Sequence, residues 1–404
     1  MTSVPIVPEA RACPSLLIQP DWTGWSCQLG AGELNSTGVW NAISGLVPQV
    51  SHEAAFGHLS PWQGKFTQSH TQEVLVRDFL GFLCPRDLYC GHDSAHRSYG
   101  EAYAIRTRVC DSFLQLQDLH SDYYLSFRWP VVSEEYFEYA AVLSSVVEYL
   151  DAFEEEKLRG STPRPFAFVE LGAGYGHWSF AAHLALRRVA AHRQLLDLTR
   201  HRYLLVDAVD ASMAAHELAR LNEVETNGPE GFLNFHQGFV TSSGHFDLSA
   251  SRAYAAWIVR SFSAAWGGSS ASAAVEAVSL QAVLVMYDMP CVIDMLDVDI
   301  QGGEYHLFST NETMSLLKQR VRRIHIGLHS QSAHRNLVLK ARFRRWGWGV
   351  KWLWHSNLQD RMLRETPWGP VVFADGVLTV VNSRQLDGSQ CPSGIQRATL
   401  APWI

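Results

Sequence analysis

The residues whose spacing points to chemistry are acids and glycines at the ends of apolar runs. In VELGAGYGHW, Glu170 precedes Gly172, Gly174 and Gly176, with an apolar run before them and a helical pattern after. Glycines at a strand-to-helix turn let backbone approach a bound group, and the helix start supplies unpaired N–H donors. The dinucleotide fingerprint GxGxxG needs its third glycine where His177 stands, so the GxGxG spacing disfavours a nicotinamide oxidoreductase. A plain Gly-rich turn is the bland alternative.

A second acid, Asp207, ends the next apolar run in LLVDAVDA. Sites of α/β sheets lie at the carboxyl ends of the strands, where a carboxylate can accept both hydroxyls of a ribose. Asp207 could instead cap the following helix, but Asp210 and Ser212 are there to do so. The segment IDMLDVDIQGGEYHLF (293–308) carries Asp294, Asp297, Asp299 and Glu304 among Ile293, Leu296, Val298 and Ile300. Acids on a buried strand are costly unless paired or functional, and Asp297 and Asp299 share one face.

These elements sit in a chain of 404 residues with net charge −7, 47% hydrophobic and 18% charged. That is a globular composition with no global case for nucleic-acid binding. Seven scattered cysteines predict neither a disulfide scaffold nor a zinc site. The start lacks a basic n-region, and no run is long and apolar enough to span a membrane, so the default expectation is a soluble, cytoplasmic protein. Between Lys318 and Arg364, twelve Lys/Arg stand against one acid, Asp360, which leaves about −18 on the remainder. This reads as a solvated helix face or as a basic wall toward an anion. Asn336, Leu339, Phe343 and Trp346 fall on one side of a helix there, and Arg335, Arg342 and Arg345 on another.

Residues 1–100 read as loops and short elements with a disordered start. Ile105, Val109, Phe113 and Leu116 make a helical stripe. Ser133 is placed to cap a second helix with the stripe Tyr136, Ala140, Leu143, Val147, Leu150, closed by Gly160 and Pro163. Strands are expected at 166–171, 202–209, 232–240, 291–300, 322–330, 350–355 and 376–381. Helices are expected at 178–193, 213–224 and 338–346. This alternation predicts a mostly parallel sheet covered by helices on both faces, and the last two strands can form an antiparallel edge.

Taken together, VELGAGYGHW, VDAVDA and above all DVDIQGGEYHLF resemble the FkbM-type methyltransferases of the class I, S-adenosylmethionine (SAM)-dependent group. EEYFEYAAVL, VRRIHIGLHS, WGW and DGVLTVVN recur in order, so the resemblance covers about 133–382. It implies a Rossmann-like sheet of seven strands with the last antiparallel. It also implies SAM as cofactor and O-methylation of a hydroxyl on a small-molecule or sugar-containing acceptor. His177 replaces a residue that is often basic in the family, and Asp207 stands where Glu is commoner.

On that basis Glu170, Gly172, Gly174, Gly176 and Asp207 are the candidate cofactor residues, with Gln237 (beside His236) facing the adenine. Asp299 and His329 are the candidates to position the acceptor hydroxyl or take its proton, and His325 is read as structural. Glu304 ties the loop or touches substrate. Asp297, Asp299 and Glu304 have the oxygen ligands of a divalent-ion site, but none is expected. The expected division is an extension (1–100), a helical lead-in (101–162), the methyltransferase domain (163–385) and a tail (386–404). A non-catalytic module of the same fold is the alternative, and SAM binding separates the two.

Overall fold

The computed structural model describes residues 75–78, 80–85, 124–126, 134–195, 200–207, 212–222, 224, 233–242, 277–330, 332–354, 363–366, 369–372, 376–384 and 386. The expected helical stripe at 105–116, the Ser133 cap and nearly all of the tail lie outside them. The described elements are β1 (Leu75–Arg77), β2 (Leu83–Pro85), β3 (Tyr124–Ser126), α1 (Glu134–Leu158), β4 (Phe166–Leu171), α2 (His177–His192), β5 (His201–Asp207), α3 (Ser212–Leu221), β6 (Leu233–Gln237), β7 (Phe239–Thr241), β8 (Ala277–Ser279) and α4 (Leu280–Met286). They continue with β9 (Ile293–Val298), α5 (Glu304–Leu307), α6 (Asn311–Arg320), β10 (Val321–Leu328), α7 (Ala333–Arg345), β11 (Trp348–Trp354), β12 (Leu363–Thr366), β13 (Gly369–Val372) and β14 (Gly376–Asn382).

Seven strands form one sheet in the order β11-β14-β10-β9-β4-β5-β6. β9, β10, β4, β5 and β6 run parallel, while β14 is antiparallel to both β10 and β11. This is a mostly parallel, Rossmann-like sheet of seven strands with the last antiparallel, as expected. The last two strands do pair antiparallel, but β14 inserts inside the sheet and leaves β11 at the edge. The join between them also carries the β12–β13 hairpin.

The central strands are buried along their length, which is why they read as unbroken apolar runs. One core lies on the face covered by α1, α2 and α3. The other lies on the face covered by α4, α6 and α7. The expected strand at 232–240 breaks at Gly238, and β7 leaves the sheet to pair with β8. β8 and α4 had no periodicity long enough to announce them.

Two features depart from the sequence reading. In α1, every residue from Phe137 to Val147 is buried, not only the predicted stripe. The outer cover comes from upstream: Leu80, Phe82 and Cys84 belong to the same core cluster as α1 and α2. Phe82 is wholly buried and stacks on Phe180 at 5.4 Å. The odd cysteine count also concealed a bridge. Cys291 is disulfide-bonded, and its partner lies outside the described residues.

Candidate active site

The two acids of β9 and the one just past its end are accommodated in three different ways. Asp294 is buried and takes a bidentate contact from Arg164 (2.5 and 2.7 Å) plus the Ala167 N–H at 3.0 Å, so it is a structural ion pair. Asp297 lies one side-chain alternation away on the other face. In register it neighbours Glu170 on β4 and His325 on β10, and His325 in turn neighbours Thr379 on β14. A polar row thus crosses four strands beneath α1. His325 Nδ1 lies 2.7 Å from Thr379 Oγ1, and burial depresses its pKa to about 3, so it is neutral and structural, as read. Burial, reinforced by Asp297 and Asp299, raises the Glu138 pKa well above the carboxylate range. Burial and the nearby Glu170 do the same to Asp297. Two carboxyls this close cannot both ionise, so the pair holds a proton.

Asp299, two residues on, reaches the rim, where 42% of its side chain is exposed. His329 leaves the end of β10 with Nε2 3.0 Å from Asp299 Oδ1 and Nδ1 2.7 Å from Glu304 Oε1. Both ring nitrogens face carboxylate oxygens, the Nδ1 contact with the geometry of a hydrogen bond. Burial alone would raise the Asp299 pKa, but His329, with a hydrogen bond from Gln301, holds it below the usual range. Glu304 is fully buried at the start of α5 and also accepts from the Gly302 N–H at 3.2 Å. The structure therefore brings Asp299, His329 and Glu304 together. Their ligand atoms lie within 4.8 Å of one another, and so do those of Glu138, Asp297 and His325. The oxygen set of Asp297, Asp299 and Glu304, where no ion was expected, is split between these two groups.

The glycine turn is shaped by its neighbours. Gly172 has φ +80°, and a Cβ there would lie 1.8 Å from the Asp299 carbonyl oxygen. Gly176 has φ +86°, and a Cβ would lie 2.3 Å from Leu205 Cδ2. The Gly174 N–H donates to Asp207 Oδ2 at 2.7 Å. Glu170 faces inward: its oxygens accept from the Trp178 N–H, the Ser179 N–H and the Ser179 hydroxyl at the start of α2. Burial still raises its pKa to about 7. Its two oxygens are thus engaged within the fold, where they tie the turn to the helix.

Asp207 ends β5, and Gln237, its register partner, ends β6 exposed beside it. His236 turns away, with Nδ1 3.2 Å from the Tyr287 hydroxyl. His177 caps a cluster that the sequence did not announce. Its Nε2 lies 2.7 Å from the Tyr139 hydroxyl, and its Nδ1 lies 3.1 Å from that of Tyr175. Tyr139 donates to buried Asp78, whose pKa burial raises to about 6. The signal was His177 at a position where the resemblance calls for a basic residue. Tyr139 and Asp78, 38 and 99 residues upstream of it, could not be read locally.

Next to His329 lies a cavity of about 360 Å³ lined by Gly302, Tyr305, His329, Ser330, Ser332 and Arg335. No helix among the described residues is long and apolar enough to cross a membrane.

No protein-family model matches the chain, and no curated protein matches it significantly. Among solved structures, it is similar to magnesium protoporphyrin IX methyltransferase (ChlM) from Synechocystis PCC 6803 with bound SAM. That match has 11% identity, covers 74% of this chain and 95% of that one, and gives a TM-score of 0.29. Precorrin-6y C5,15-methyltransferase from Geobacter metallireducens GS-15 gives 8% identity, 60% and 86% coverage, and a TM-score of 0.29. An O-methyltransferase family protein from Burkholderia thailandensis gives 13%, 62% and 59%, and 0.24. Overlaps this loose carry no weight of their own, so the fold assignment rests on the strand order.

Proposed function

We propose that the chain is a SAM-dependent methyltransferase that methylates a hydroxyl of a small molecule. One observation carries this reading. The Gly172–Gly176 turn, Asp207 and Asp299 stand at the carboxyl ends of β4, β5 and β9, which are neighbours in the sheet. In such sheets ligands bind outside those ends.

The donor set suits SAM. Asp207 offers a carboxylate to the ribose, the exposed Gln237 amide offers a donor and an acceptor to adenine, and the glycine turn offers backbone N–H groups. In this reading Glu170 acts by fixing the turn on α2. Bound SAM would supply an electrophilic methyl group. Asp299 accepts a hydrogen bond from the acceptor hydroxyl and aligns its oxygen for in-line displacement. The hydroxyl proton passes to that carboxylate as the new C–O bond would form and the methyl–sulfur bond break, with S-adenosylhomocysteine leaving. His329 holds Asp299 from one side and Glu304 from the other, which makes it a positioning residue. The narrower placing among FkbM-type enzymes, and with it O-methylation, rests on the sequence likeness of residues 293–308.

Calorimetry with SAM and S-adenosylhomocysteine tests the first step. Absence of binding by the folded protein would overturn the reading in favour of a non-catalytic module. Labelled SAM with mixed cell extract then identifies the acceptor by its labelled product.

A further inference from the structure

Four residues of the basic segment are spent on the fold. Arg320 donates to the carbonyls of Met289, Pro290 and Cys291. Arg323 pairs with Glu148, Arg322 donates to the Leu386 carbonyl, and Lys318 donates to that of Gly347. Arg335 differs. It is exposed in the first turn of α7, and its guanidinium carbon lies 6.0 Å from the centre of the Tyr305 ring. Among the described residues no carboxylate pairs with it. The Tyr305 hydroxyl is turned away onto Asn336 Oδ1, so its ring remains as a surface under the guanidinium.

Arg335 and Tyr305 line the same cavity as His329, and none of the six lining residues is acidic. Its volume falls at the lower end of small-molecule sites, which span roughly 300–1,000 Å³. The imidazole of His329 joins this cavity to Asp299. We infer that the acceptor is an anionic hydroxy compound whose carboxylate or phosphate group is bound by Arg335 while its hydroxyl reaches Asp299. A planar guanidinium offers paired N–H donors to either group, and with no carboxylate paired to Arg335 among the described residues those donors can face a ligand. This inference rests on the methyltransferase reading for the hydroxyl end only.

The test follows the ¹⁵N-labelled arginine side-chain signals of the full chain at constant ionic strength. Inorganic phosphate and benzoate are titrated separately, with benzamide as the neutral control. At least one anion should saturate the Arg335 signal, and benzamide should not. Arg335→Gln should weaken that binding about 10- to 100-fold, the loss of a charged hydrogen bond. Arg344→Gln, an exposed change on the same helix, should leave it unaltered. A phosphate preference assigns a phosphorylated acceptor, and a benzoate preference a carboxylate one. Failure of both anions to saturate, equal binding of benzamide, or unaltered binding by Arg335→Gln overturns the inference. A parallel S-adenosylhomocysteine titration separates the two claims. Cofactor binding without anion binding defeats the inference alone, and anion binding without cofactor binding defeats the methyltransferase reading.

Discussion

Gly172 and Asp299 touch across two strand ends so closely that a single methyl group on the glycine would lie 1.8 Å from the Asp299 carbonyl oxygen. The Asp299 N–H also donates to the Leu171 carbonyl at 2.8 Å. The turn proposed to hold the cofactor and the carboxylate proposed to hold the acceptor are therefore set by one contact. Gly172→Ala should destabilise the fold by about 2–5 kcal/mol, through backbone overlap and a left-handed φ. Gly302→Ala, with φ +103° and open space around it, should cost only about 1–2 kcal/mol of backbone strain. Denaturant unfolding of both variants checks the contrast.

Asp207→Ala removes a charged acceptor from the ribose position and frees the Gly174 N–H. SAM affinity should fall about 10- to 100-fold with the fold retained. Gly174→Val, which puts a branched side chain at φ +51°, should abolish binding. Calorimetric affinities equal to the wild type would move the cofactor elsewhere, with Asp210 the next acid to test.

Asp299→Asn keeps the size of the side chain but loses its charge. Methyl transfer should slow about 10²–10⁴-fold while SAM still binds, so kcat falls more than cofactor affinity. His329→Ala should slow the reaction less, because the carboxylate stays. Its loss should appear in acceptor KM as well as in kcat. A larger loss at His329, with a rate rising through pH 6–7, would pass the base role to the imidazole.

Stability should be greatest in mildly acidic to neutral solution. Glu170, raised to about 7, and the Glu138–Asp297 pair bind protons more tightly folded than unfolded. Their contribution is fully present below their unfolded pKa values and is lost as pH rises through the folded ones. His325 at about 3 and His201 at about 4 act oppositely, because burial keeps them neutral. Stability is lost as pH falls below the unfolded histidine value of about 6.5 toward those folded values. Asp297→Asn should flatten the alkaline limb of a stability profile measured from pH 5 to 9 and leave the acid limb in place.

Much of the sheet was legible because its strands are buried on both faces, so Phe166–Leu171 and Ile293–Val298 stand out as apolar runs between Gly, Pro and charged punctuation. The rim acids Asp207 and Asp299 were legible for the complementary reason, since each is a charge where a buried strand ends. The register that lines up Glu170, Asp297, His325 and Thr379 was not, because it depends on strands up to 209 positions apart. Nor was the upstream cover of α1. Leu80, Phe82 and Cys84 lie in a stretch with no periodicity, and only the all-round burial of Phe137–Val147 reveals them. Phe82→Ala should therefore cost about 3–5 kcal/mol, as for a core aromatic of the main domain. Thermal unfolding of the full-length variant measures it.

The internal position of β14 bears on how the chain assembles. β10 is complete at Leu328, but its outer hydrogen-bonding edge is filled only by residues 376–382, nearly fifty positions later. β11, made in between, has no sheet neighbour other than β14 among the described residues. On a ribosome adding about 5–20 residues per second, the bare edge of β10 persists for roughly 2–10 seconds before its partner emerges. An apolar edge exposed that long invites pairing with another chain. Truncation before Gly376 would make the exposure permanent, turning a transient hazard of synthesis into an insoluble product.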